Sequence, residues 1–207
     1  MRAIMGWTND EYLKAKAPTY PCLIDEKHVV AELYDMANVP MAVWIDERGR
    51  IVRPAEPAGA TDGFRKMDRT TFTLAPEVAA AGRSARARYV DAIRDWAEHG
   101  AQSRYALSPE VARERIAGPS ETDVLGAASF RLGQYLREHG EGARAERWFD
   151  EAKRLCPDRW NYFRQALDLV EKGSASGPQF HAAVKALGDR RYYPEVDLEN
   201  AGAPGAH

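Results

Sequence analysis

Cysteine is scarce: Cys22 and Cys156 are the only two in 207 residues. That excludes a disulfide scaffold, a four-thiolate zinc site and a local Cys-x-x-Cys redox pair. Any thiol chemistry would rest on a single sulfur. No apolar run approaches the ~20 residues that cross a bilayer, and residues 1–7 are too short for the core of a signal peptide. No membrane partner is expected, and a cytoplasmic location with reduced thiols follows. A charge excess of either sign is also missing, with 29 basic against 31 acidic side chains. Nothing draws the chain toward phosphate backbones, so nucleic acid is not an expected partner. The five histidines are scattered without metal-ligand spacing, and no Gly-x-Gly-x-x-Gly signature occurs. Neither a metal nor a cofactor is expected.

What is present suits one ordinary domain or two small ones, with 44% apolar and 29% charged residues. Thr8 and Glu11 have capping-box spacing ahead of a short helix that Pro18 ends. Cys22, Leu23 and Ile24 form an apolar run suited to a buried strand, and Asp25 is placed to cap a helix over residues 26–37. Val29, Val30, Leu33, Tyr34 and Met36 give that helix one apolar face. Residues 41–46 and 51–53 then read as a β-hairpin, with Gly49 supplying the tight connection. Proline, alanine and glycine mark residues 53–63 as a loop.

The remainder is helical in character. Residues 78–99 place Tyr89, Ile93 and Trp96 on one face, and Gly100 stops the helix. Arg83, Arg86 and Arg94 fall along one flank, either as a solvated edge or as a face for an acidic partner. Ser108 and Pro109 open a helix running to about residue 116. Over residues 126–159 the small and large positions Leu132, Gly133, Leu136, Ala145, Phe149, Ala152 and Pro157 are spaced as in two interlocking antiparallel helices. The segment resembles one tetratricopeptide repeat, departing at Ser129, with residues 160–170 as a solvating helix. A lone repeat cannot bury both faces, so flanking helices must supply contacts. Repeats of this kind bind peptides or partner proteins, which implies such a partner. Cys156 is most simply a packing residue, residues 192–196 fold back as an apolar clasp, and residues 201–207 form a loose tail.

The first part of the chain carries a second resemblance. Tyr20-Pro-Cys-Leu-Ile-Asp25, the helix with Ala31-Glu-Leu-Tyr34, and Asn38-Val-Pro-Met-Ala-Val-Trp-Ile-Asp46 leading through Gly49 to Ile51-Val52 form an ordered series. It resembles the second half of a thioredoxin-fold redoxin, of the TlpA/ResA-type thiol-disulfide reductases or the alkyl-hydroperoxide-reductase/thiol-specific-antioxidant group. The resemblance implies that Pro40 is a cis-proline and that Val39, Pro40 and Met41 form a substrate-binding surface on which an extended polypeptide meets the backbone. Met41 stands where the family usually has threonine. The family's reactive Cys-x-x-Cys, which opens the first helix where the thiol pKa is lowered, has no counterpart here.

The expected architecture is therefore an α/β partial thioredoxin-like domain over residues 1–75, followed by an all-α, tetratricopeptide-repeat-like region over 76–200. With so little chain ahead of Tyr20, the expectation is an N-terminally shortened relative whose strand at 41–44 keeps an open edge, inviting a homodimer. Whether the chain is an enzyme stays open. Cys22 is the only candidate nucleophile in the redoxin-like part, and a buried strand position would raise its pKa and make it inert. The two functions expected are a redoxin-family protein without redox competence of its own, or a non-catalytic interaction module using the repeat-like helices or the Pro40 surface.

Overall fold

The computed structural model describes residues 14–15, 17–25, 28–116 and 118–199. It is mixed, with a two-stranded antiparallel sheet followed by helices. The helix expected around Thr8 and the tail at 201–207 fall almost wholly outside the described residues.

The strand expected at Cys22 does not form. Residues 21–25 have no regular secondary structure, and Cys22, Leu23 and Ile24 are exposed, Leu23 at 93%. A three-residue apolar run has no ladder to join unless a neighbouring strand offers one, and none does among the described residues. The following helix is also shorter than expected. α1 spans Val29–Leu33 and buries none of its residues. The N-cap is His28, which makes no side-chain cap bond, and Asp25 reaches the first turn from three residues before it, its carboxylate accepting from the backbone N–H groups of Val29 at 2.9 Å and Ala31 at 3.0 Å.

β1 (Met41–Ile45) and β2 (Ile51–Pro57) pair with Trp44 opposite Arg53 and Met41 opposite Pro57. The turn closes on Asp46, whose carboxylate accepts from the N–H groups of Arg48 and Arg50 and from the Arg50 guanidinium. These bonds hold its pKa below the ordinary carboxylate value. Gly49 takes φ +76°, as the connection requires. β2 runs four residues beyond Arg53, through Pro54 and Pro57, where the composition reads as loop. Proline is tolerated because β2 is an edge strand with a register irregularity.

The hairpin packs on α2 (Pro76–His99), where Trp44 stacks on Trp96 at 5.2 Å and meets Tyr89 edge-on. Polar atoms in that core form one chain. The Trp44 indole donates to the Tyr89 hydroxyl at 2.9 Å, which donates to Glu56 at 3.0 Å, which pairs with the fully buried Arg53. Arg53 also donates to the carbonyls of Tyr105 and Asp197 and lies over the Trp44 ring. One guanidinium thus ties the hairpin to the loop after α2 and to the C-terminal segment.

α3 (Pro109–Arg115) starts on Ser108, whose hydroxyl accepts from Val111. α4 (Glu121–Glu138) opens with a capping box between Ser120 and Asp123 and packs along α5 (Gly142–Leu155). Gly133 lies against the Phe149 ring and Gly126 against the Cys156 sulfur, so both glycines permit the close approach. Cys156 is buried, and burial pushes its thiol pKa up. α6 (Trp160–Val170) and α7 (Pro178–Ala186) complete the helices. Phe130 stacks on Tyr162, and Trp160 meets Phe180 and Tyr192.

Candidate functional site

Residues 38–41 connect α1 to β1 and are anchored from the far end of the chain. Asn38 is buried, and its side-chain oxygen accepts from the Val39 N–H at 2.9 Å and from the Tyr192 hydroxyl at 3.1 Å. The Tyr193 hydroxyl donates to the Val39 carbonyl at 2.6 Å. Burial, together with the neighbouring Tyr192, pushes the Tyr193 hydroxyl up to about 12, so it keeps its proton and remains a donor at neutral pH. The Pro40 carbonyl accepts from Ala58, and the Met41 sulfur accepts from the Asn38 N–H. Asp62 holds the tyrosine pair in place by accepting from both of their N–H groups at 2.9 Å.

The bond between Val39 and Pro40 is cis, and the Val39 side chain is 58% exposed. Pro40 is exposed beside it, and Met41 is half-buried. The two backbone polar groups of Val39 are both engaged within the chain, the N–H by Asn38 and the carbonyl by Tyr193.

Pro40 and Tyr193 form one wall of a groove of about 340 Å³. Gly82, Arg83 and Arg86 of α2 form the other, and residues 59–61 with Phe64 close its end. Gly59 sits at φ +67°, and a Cβ there would lie 2.8 Å from the Arg86 Cα, so only glycine lets this loop press against α2. Gly82 is different. It lies inside a 24-residue helix, where glycine costs roughly 0.5–1 kcal/mol relative to alanine. A Cβ there would meet nothing nearer than the Thr61 hydroxyl at 3.8 Å. Packing within the chain does not require this glycine; its effect is to leave the groove open.

Of the three arginines on the α2 flank, Arg94 pairs with Asp91 at 3.0 Å. Arg83 and Arg86 line the groove and make no ion pair among the described residues. Among the described residues, no cysteine or histidine lines it. Cys22 is an exposed thiol whose one hydrogen bond among the described residues goes to the Tyr20 carbonyl at 3.8 Å. The apolar burial expected for it is absent.

Sequence reasoning placed Pro40 and the arginine flank but did not join them. It missed Gly59 and Gly82, and for Tyr193 it expected the fold-back of residues 192–196, which packs against the core, but not the bond to Val39. A glycine in the middle of an otherwise strong helix pattern was the available signal for Gly82. Tyr193 lies 153 positions after Pro40, beyond any local pattern.

Neither a protein-family model, nor a curated protein, nor a solved structure matches this chain. Among the described residues, no helix is long and apolar enough to cross a membrane, and no three His, Cys, Asp or Glu side chains cluster as a metal site.

Proposed function

We propose that this chain is a redoxin-related protein that binds a polypeptide without redox turnover, using the surface of Val39, Pro40 and Met41. The observation that carries the reading is the groove that runs from Pro40 to the arginine flank of α2, with no thiol lining it among the described residues. The ordered series of strand, glycine turn and strand after Pro40, covered by the aromatic face of α2, supports the relationship to the thioredoxin-like fold. The close approach of α4 and α5 through Gly133 and Phe149 supports reading them as a tetratricopeptide-like hairpin that frames the module. A second copy is a further partner, meeting the chain along the outer edge of β1.

The test has two arms. Insulin-reduction and peroxide-consumption assays on this chain should stay at the buffer rate, and turnover abolished by Cys22→Ser would overturn the reading. A reduced, alkylated and therefore unfolded probe protein should bind in a fluorescence titration. Val39→Asp should weaken that binding, because the exposed side chain is part of the docking surface. Unchanged binding by this variant would remove Pro40 and its neighbours from the site.

A further inference from the structure

We infer that the polypeptide taken by the groove beside Pro40 is an acidic, extended segment whose carboxylates meet Arg83 and Arg86 across the opening left by Gly82. This rests on reading the groove as a protein-binding site and adds the chemical class of its occupant. Arg83 and Arg86 are one helical turn apart and both exposed, so their guanidinium groups share one side of α2. Elsewhere on the surface Arg50 pairs with Asp46, Arg65 with Asp62, Arg94 with Asp91, Arg131 with Glu32 and Arg154 with Glu151. The groove instead presents two cations with no carboxylate among its lining residues. Guanidinium is the cation best shaped to take a carboxylate through paired N–H donors.

The remaining walls suit the rest of such a segment. The Pro40 and Phe64 rings offer apolar contact, and Gly82 adds no side chain to the lining beside the arginines. A lipid surface or a nucleic acid would need a broad field of positive charge. The chain is close to neutral overall, and the cations at the groove are two in a narrow cleft. A polypeptide with spaced carboxylates fits that geometry.

The experiment is fluorescence anisotropy of the whole chain with short fluorescein-labelled peptides that alternate glutamate with alanine and valine, alongside the same peptides with glutamine or lysine for glutamate. The glutamate peptide should bind roughly tenfold tighter than the glutamine peptide, the preference falling as salt is raised. Arg83→Gln with Arg86→Gln, both at exposed positions, should erase the preference. Gly82→Leu fills the opening and should weaken glutamate and glutamine peptides alike while its thermal midpoint is no lower than that of the unaltered chain. Equal binding of the glutamate and glutamine peptides, still sensitive to Gly82→Leu, would overturn the acidic occupant and leave the groove as a polypeptide site. Failure of every peptide to bind, with or without capture of anionic vesicles, would overturn both.

Discussion

At the scale of single residues, Arg53 has the largest stake in the fold. It is a fully buried cation within a strand, and its guanidinium is matched by two Glu56 oxygens, two backbone carbonyls and the Trp44 ring. Replacing a buried ion pair by apolar groups of equal shape can be neutral, but removing one partner leaves the other charge desolvated and alone. Arg53→Ala should therefore cost about 3–5 kcal/mol in urea unfolding, and Arg53→Lys should recover little because lysine lacks the planar fork. A loss under 1 kcal/mol, of the order seen for exposed pairs, would contradict this account. His181 makes a pH-dependent contribution instead. Its Nε2 faces the Arg69 guanidinium at 3.2 Å, and its Nδ1 is buried without a partner. Burial first, and Arg69 second, hold its pKa below the ordinary value of 6.5. The folded chain then binds fewer protons than the unfolded one in that window, so stability is full above about 6.5 and is lost as pH falls through the folded value. The thermal midpoint should drop between about pH 7 and pH 5, and His181→Leu should flatten that part of the profile. An unchanged slope would exclude His181 as its source.

At the scale of elements, two helix glycines make opposite predictions from the same chemistry. A Cβ on Gly133 would lie 2.6 Å from two atoms of the Phe149 ring, which is 1% exposed and has no room to turn. Gly133→Ala should therefore destabilise by about 1–3 kcal/mol despite the better helix propensity of alanine. Gly82→Ala meets only the Thr61 hydroxyl, at an ordinary contact distance of 3.8 Å, and should stabilise by roughly 0.5–1 kcal/mol. Both are read from chemical denaturation, and stabilisation by both would mean that propensity alone decides. The contrast also shows what the chain disclosed in advance. The Gly133 and Phe149 spacing, the cap on Ser108, the helix over Trp160–Val170 and the turn at Gly49 are local, and local pattern found them. The strand at Cys22 failed because three apolar residues specify a strand only where a neighbour offers a ladder. β2 past Arg53 was hidden because its prolines signal a loop in isolation and an edge strand once β1 is in place. Arg53 in the core and Tyr193 on the Val39 carbonyl were beyond reach, since each depends on partners more than fifty residues away.

For the whole molecule, the two edges of the hairpin differ in a way that bears on association. β2 carries Pro54 and Pro57, has α3 against it, and sends Arg53 to the Tyr105 carbonyl. Proline and a covering element are the usual means by which an edge is closed to other chains. β1 has neither. Its five residues carry no charge and no proline, and no hydrogen bond from outside the hairpin reaches Val43 or Ile45 among the described residues. Since the Pro40 carbonyl and Ala42 face β2, alternation turns Met41, Val43 and Ile45 toward the free side. Antiparallel pairing of two copies about Val43 would set Met41 opposite Ile45 and oppose no like charges, which satisfies a two-fold contact. Sedimentation velocity should show weak, concentration-dependent self-association. Ile45→Lys, at a position already 38% exposed, should reduce it at least roughly tenfold by placing a cation on the edge. Its effect on stability should stay within about 0.5 kcal/mol, so that lost association cannot be assigned to unfolding. A chain that sediments as a monomer at high concentration would show that the β1 edge is not an interface between copies.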